Sequence, residues 1–344
     1  MSVIFEENNC KLITHNRQRN KYKSNSKNEE YAVYQLCETL FNNFKRKQKA
    51  TSDTVESNDT ETIIKDFLNS CKKMKLFLTS SIDEEEKLKD ENIKLVNKFY
   101  DDESSTDVGY FHGENNLQYG KLLTIKENIY LIPSCCKFFN KKIEDMETFL
   151  PSDEANKFDF IVIDPPWKNR YIKRVKKKTG SKQGYFTMSD DEIMEIPLEN
   201  YIKNSSIVIV WCTNSPSHIT ALQERILNKW NLKLLSRWQW VKIDRNGELF
   251  NNIEGNKKPF EQIFVTCHVN SQNNYQEIKD EKFIFSHPSS IHSHKPPLID
   301  LFREFLPNEP KCLEIFARSL YNNFTSVGLE VLKLQNILLY EKIS

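Results

Sequence analysis

Residues 158–167, FDFIVIDPPW, narrow the fold more than any other stretch of this chain. Phe160 to Ile163 is continuously apolar and mostly β-branched, the pattern of a strand buried on both faces in a parallel sheet. Pro165 and Pro166 end that strand, because neither has an N–H to give to a ladder. Asp164, a stiff Pro-Pro turn and the ring of Trp167 are thus held just beyond a strand's carboxyl end, where open α/β sheets bind their ligands. An ordinary turn accounts for Asp-Pro-Pro alone; tryptophan in the next place shifts the reading towards a site.

The rest of the chain supplies partners for such a strand. Residues 207–211 (IVIVW) repeat the buried-strand pattern, and 218–230 read as the crossover helix that a parallel pair requires. Further strands are expected at 234–243, 262–269 and from Cys312, with Trp238 and Trp240 as core or rim packing. Residues 122–132 read as two short strands around Glu127-Asn128, closed by Pro133. Ser189 and Glu192 form a capping box that opens a short helix. Pro296 and Pro297 suit the first turn of a helix over 298–306, and Asn246-Gly247 marks a turn.

Residues 1–115 are expected to be a helical, partly disordered N-terminal region, with helices at 31–44, 63–78 and 83–100 and polar linkers at 51–62 and 101–107. Residues 116–344 form the main domain. With 344 residues and only 38% hydrophobic content, the core rests on 22 Phe and 13 Tyr. The eight cysteines show no C-x-x-C pair, so reduced, buried thiols in an intracellular protein are expected. No leader and no apolar run near 18 residues is evident, which predicts a soluble chain. Neither Cys135-Cys136 nor His292 with His294 makes a metal site by itself.

A net charge of +1 confines any nucleic-acid contact to local basic clusters. Residues 11–27 hold six Lys or Arg and no acid, and read either as a nuclear-import or nucleic-acid arm or as a solvated start. Residues 168–182 hold eight, among them Lys168, Arg170, Lys173 and Arg174, again with no acid. Beside Asp164 such a run would attract phosphates; a solvated charge run or an import signal is the plainer alternative.

The tetrad itself suits one kind of chemistry. An exocyclic amine on a base is a poor nucleophile, since its lone pair is delocalised into the ring. Acceptors that hold its N–H groups aim that lone pair. Asp164 and the carbonyl of Pro165 can be those acceptors, and Trp167 offers a face on which an extruded base can stack.

Asp164-Pro165-Pro166-Trp167 resembles the catalytic motif of amino-group methyltransferases acting on adenine N6. With Trp fourth, it resembles the eukaryotic family that includes the messenger-RNA adenosine methyltransferase. Leu131-Ile132-Pro133, Met188-Ser189 with Glu192-Ile193, Lys258-Pro259-Phe260-Glu261, His292-Ser293-His294-Lys295-Pro296-Pro297-Leu298 and Cys312-Leu313-Glu314-Ile315-Phe316-Ala317-Arg318 are similar to further family segments. They narrow the resemblance to the methyltransferase-like four branch, whose members act on adenosine in small nuclear RNA and have been linked to adenine in DNA.

The resemblance implies an α/β, Rossmann-like methyltransferase domain with permuted motif order, the catalytic strand preceding the cofactor strand. It implies S-adenosyl-L-methionine as cofactor, with Lys295 on its carboxylate and Asn140, Asp164, Ser293, Phe316, Arg318, Ser319 and Glu330 nearby. Lys258 and Glu261 join Lys168, Arg170, Lys173 and Arg174 on the substrate side. The implied partner is RNA of the small nuclear type, with a 2′-O-methylated adenosine in view, or DNA, in a nuclear protein with cytoplasmic presence open. A monomer without metal or membrane is expected. Two departures stand out. Ser319 replaces the family's Asn after Arg, and Leu329 replaces Asn in Gly-Asn-Glu. Losing one polar contact at about 0.5–1.5 kcal/mol predicts roughly tenfold weaker cofactor binding. The alternative is a non-catalytic nucleic-acid-binding relative. Methylation of a protein amide fits poorly, since relatives of that kind place Asn and Tyr in the tetrad.

Overall fold

The structure, a computed structural model, describes residues 2–7, 9–14, 20–23, 31–36, 58–77, 110–168, 187–244, 246–251, 258–273, 275–278, 280–289 and 294–343. At the centre of an 11-stranded sheet runs β9 (Phe158–Ile163), with β10 (Ile202–Cys212) parallel on one side and β14 (Cys312–Ile315) parallel on the other. Past β14 lie β15 (Phe324–Val327) and β8 (Cys136–Asn140), both parallel, and antiparallel β5 (Phe111–Asn115). Past β10, antiparallel β12 (Phe260–His268) is followed by β11 (Leu232–Lys242), β13 (Phe283–Ser286), β2 (Cys10–Thr14) and β1 (Ser2–Glu7).

β9 leads outwards to β10, whereas β14 leads the other way to β15, so strand order reverses between β9 and β14. That reversal is the switch point at which an open α/β sheet accepts a ligand. The permuted order expected from the sequence is the one observed: the strand bearing Asp164 precedes its neighbour β14 in the chain.

The two faces of β9 and β10 feed two cores with the two-residue period of a strand. Ile161, Ile163, Val208 and Val210 pack with Trp230 and Tyr201 on one face. Phe160, Ile207 and Ile209 pack with Trp238, Trp240 and Phe302 on the other. Most of these side chains are fully buried, each stabilising the fold by about 1.5–3 kcal/mol. Trp238 and Trp240 are core residues, the first stacked on Phe302 at 5.0 Å. The crossover after β10 begins as a helix at Pro216–Ala221, passes through a π turn and ends at Trp230. The Ser189 capping box is formed.

The N-terminal region, expected to be helical and partly disordered, contains strands as well as a helix. α1 (Asn58–Lys73) lies near the expected place, with Ile64, Phe67, Leu68 and Cys71 buried against β2 and β13. Residues 31–36 are not helical. They form β4 (Tyr31–Leu36), which sits between β3 (Asn20–Lys23) and β16 (Tyr340–Ile343) in a five-stranded sheet with β6 (Gly120–Ile125) and β7 (Asn128–Ile132). The spacing of Val33 and Leu36 matched a helical period, but the C-terminal strand offers pairing that no local pattern reveals. The helix expected at 83–100 lies outside the described residues. Residues Ile299–Phe305 wind as a 3₁₀ helix rather than an α-helix over 298–306.

Of the eight cysteines, seven are described, all free; burial pushes the thiols of Cys10, Cys136, Cys212 and Cys312 up to about 12.

Candidate active site

At the switch point the backbone N–H of Asp164 donates to the carbonyl of Ile315, joining the ends of β9 and β14. Asp164 leaves β9 towards a cavity that Trp211, Lys295, Glu314, Phe316 and Ser319 also line. Four separate chain segments thus contribute to one opening at the carboxyl edge of the sheet.

Lys295 is its electrostatic hub. The Nζ lies 2.7 Å from Asp164 Oδ1, 3.1 Å from Glu261 Oε2 and 4.3 Å from the centroid of the Trp211 ring. Glu261, at the start of β12, also pairs with Lys242. Burial favours the neutral forms of Lys295 and Glu261, but the ion pairs outweigh it. Asp164 and Glu261 raise the Lys295 pKa, while Lys295 and Lys242 hold the Glu261 carboxyl down at about 2. Lys295 and Glu261 are therefore both ionised throughout the neutral range.

Glu314, on β14, contrasts with these pairs. Burial and the neighbouring Asp164 push its carboxyl up to about 8, against the opposing pull of Lys295. Its Oε2 is buried and, among the described residues, has no hydrogen-bond partner. A buried polar atom left unpaired costs about 1–3 kcal/mol, so this oxygen is suited to a ligand's donor or cation.

The far wall comes from the turns after β14 and β15. Phe316 has φ +64°, a left-handed conformation that a bulky residue adopts only where its surroundings impose it. Arg318 Nε lies 2.9 Å from Glu330 Oε2, and Lys333 binds the other oxygen, tying the two turns together. Burial opposes its charge, but both cations prevail and keep the Glu330 carboxyl below the usual range. Gly328 fits between them because a Cβ there would lie 2.9 Å from the Ala317 carbonyl oxygen. Ser319 is buried on the cavity wall, and Leu329 is 46% exposed.

The Pro-Pro turn is closely held. The Pro165 carbonyl accepts from the Trp167 N–H at 2.8 Å, and the Pro166 carbonyl from the Met188 N–H at 2.8 Å. The expectation of an open Trp167 platform is corrected. Its ring is only 6% exposed, its Nε1–H donates to the Trp211 carbonyl at 2.8 Å, and His218 covers it at 5.2 Å. The turn folds the indole back onto the end of the adjacent parallel strand.

The structure thus brings together Asp164, Lys295, Glu261, Phe316, Ser319 and, across the joined turns, Arg318 and Glu330. Asn140 ends β8 on the same edge and is buried, but it is not part of the cavity wall around Asp164. Lys168 and Lys258 are exposed near that edge. Arg170, Lys173, Arg174 and Ser293 lie outside the described residues. Among the described residues no three His, Cys, Asp or Glu side chains are grouped to hold a metal, and His292 lies outside them. Trp211, Lys242 and Glu314 were not picked out as site residues. The apolar ends of strands hide them, and only cross-strand register places them beside Asp164.

Residues 158–330 match the family model described as MT-A70. Over 233 residues the chain is 32% identical to the human protein named N(6)-adenine-specific methyltransferase METTL4, a match covering 65% of this chain and 48% of that protein. It is 33% identical over 200 residues to a Pyricularia oryzae protein named N6-methyladenosine RNA methyltransferase MTA1, covering 56% and 52%. It is 30% identical over 211 residues to a Caenorhabditis elegans protein named DNA N6-methyl methyltransferase, covering 60% and 54%. The chain spans about half the length of the curated relatives it matches.

Proposed function

The chain belongs to the MT-A70 family, and from that premise we propose that it transfers the methyl group of S-adenosylmethionine to the N6 amino group of adenine in nucleic acid. The observation that carries this reading is the Asp164–Lys295–Glu261 cluster beside the Glu314 oxygen that has no partner among the described residues, at the sheet's switch point.

The residues present fit that cofactor. It carries a carboxylate and two cationic centres, a sulfonium and an ammonium. Lys295 has three donors, two of them engaged by Asp164 and Glu261, which leaves one for a ligand carboxylate. Asp164 offers a carboxylate to the cations, and Glu314 adds negative charge once it gives up its proton. Arg318, Ser319 and Glu330 offer polar groups on the opposite wall for a ribose. When bound, the cofactor supplies an electrophilic methyl on sulfur.

The chain's own part is positioning and electrostatics. One oxygen of Asp164 is bound to Lys295, and the other can accept an N–H of the target amine. The Pro165 carbonyl keeps a second lone pair beyond the one given to Trp167, so it can accept the other N–H. The nitrogen lone pair is then turned out of conjugation and aimed along the line of displacement. Trp167 acts from beneath as a buried brace for the Pro-Pro turn rather than as a stacking face.

For the finer assignment we take RNA of the small nuclear type, with a 2′-O-methylated adenosine, and a nuclear, monomeric enzyme. DNA adenine is the alternative, and the relatives' names include one RNA and one DNA methyltransferase. A non-catalytic binding role is supported by Ser319 and Leu329 and opposed by the complete tetrad.

The test is incubation with labelled S-adenosylmethionine and matched single-stranded RNA, 2′-O-methylated RNA and DNA oligonucleotides, followed by nucleoside analysis for N6-methyladenine. Transfer to the 2′-O-methylated RNA above the others supports the full reading. Transfer to DNA alone corrects the substrate, and no transfer to any adenine by folded protein overturns the activity.

A further inference from the structure

His218 sits outside the cavity, on the helix Pro216–Ala221 that follows β10, and makes three contacts with the catalytic turn and its surroundings. Its Nδ1 lies 2.6 Å from Asp190 Oδ1, and its Nε2 lies 3.1 Å from the backbone carbonyl oxygen of Lys168. Its ring packs 5.2 Å from that of Trp167 at 42°. Asp190 opens the short helix Asp190–Met194, which Ser189 caps and which follows directly on Met188, the residue bonded to the Pro166 carbonyl. One imidazole therefore joins three elements: the turn after β9, the helix after β10 and the helix at 190–194.

The Asp190 carboxylate and the Lys168 carbonyl each offer a polar anchor to one ring nitrogen, and the imidazole bridges the two. We infer that His218 is a positioning residue for the methyl-transfer reaction, a latch that holds the Asp164–Trp167 turn in its productive place. The inference rests on the function proposed above.

Asp190 faces the ring from the short helix. Asp191 on that helix is paired with Arg225, and Glu192 is bound to Ser189. The Lys168 carbonyl approaches the ring from the other side, while its side chain is exposed. A ring without nitrogens at this position would lose both bonds, and with them this hold on the turn.

Replacing Asp190 by Asn keeps a polar partner for Nδ1, because the amide can donate or accept. D190N should therefore still hold the turn.

The experiment measures methyl transfer to a single-stranded adenosine oligonucleotide for wild type, H218F and D190N, with S-adenosylmethionine affinity by calorimetry and folding by circular dichroism. H218F should lose at least tenfold in kcat while cofactor affinity stays within twofold, because Lys295 and Glu314 are untouched. D190N, which keeps a partner for the ring, should retain most of the activity. Wild-type kcat in folded H218F overturns the positioning role. A loss in folded D190N as large as that in H218F overturns the latch, because the ring would then be present without effect. Inactive wild type that binds no cofactor counts instead against the function proposed above.

Discussion

β9 carries an aspartate near each end, and their surroundings differ in kind. Asp159, near the amino end, is 7% exposed and has both oxygens engaged, Oδ1 by Lys203 at 2.7 Å and Oδ2 by the Lys311 N–H at 2.9 Å. Its own N–H returns to the Lys311 carbonyl at 2.8 Å. Asp164, past the carboxyl end, has a side chain 30% exposed, one oxygen on Lys295 and a cavity before it. The first carboxylate is a closed joint between strands; the second is an open one, paired with a lysine that is itself shared with Glu261. Charge at a strand end becomes a site only where its bonding is left incomplete.

The sharpest way to break that contrast is to remove each carboxylate. Asp164→Ala should lower methyl transfer by about 10²–10³-fold, the scale of losing one preorganised polar contact at a reacting centre, with thermal stability nearly unchanged. Asp159→Ala leaves Lys203 without its buried partner. It should destabilise the fold by about 3–5 kcal/mol, yet preserve turnover per folded molecule. Calorimetric melting beside steady-state rates decides it, and equal behaviour of the two variants would dissolve the distinction.

Glu314 sharpens the comparison through pH. Its carboxyl is raised to about 8 in the folded protein, so the native state holds a proton that the unfolded chain releases above the ordinary carboxylate range. The stability gained by staying neutral is fully present below that range and is lost as pH rises through about 8. Melting temperatures should therefore fall from pH 6 to pH 9 in the wild type and fall less in Glu314→Gln. Binding of a cationic ligand should release a proton near pH 7 in the wild type only, read as a buffer-dependent calorimetric heat. Parallel melting curves with no proton release would remove Glu314 from the account.

The smallest effect belongs to the exposed rim. Leu329→Asn restores a polar side chain beside Glu330 and should tighten S-adenosylmethionine binding by up to about tenfold, the equivalent of one hydrogen bond. An unchanged Kd would mean that the rim does not reach the cofactor.

What was legible in the sequence follows the same division between closed and open bonding. The strands around Asp164 announced themselves because Ile161, Ile163 and Ile207–Val210 are buried on both faces, and burial of that kind leaves an unbroken apolar run. Lys295, Glu261 and Arg318 were recoverable from motif resemblance. Residues 31–36 were not legible, because their strand is completed by β16, some three hundred residues later in the chain. Trp167 was visible as a residue but not as a buried one, since its partner is a backbone carbonyl of β10. Glu314 sat in plain view within an apolar strand, and only the register of β14 against β9 turns it towards Asp164. His218 looked like an ordinary helix residue until Asp190 and Lys168 were brought to it.

The proposed function turns on Lys295, held between two carboxylates, as the anchor for the cofactor at the open end of β9. Titration of S-adenosylmethionine into wild type and Lys295→Ala by isothermal calorimetry measures that role. Saturable binding by the wild type is expected, with binding roughly 10–100-fold weaker in the variant, the worth of a charged hydrogen bond. Equal affinity in two folded proteins would remove Lys295 from the cofactor site.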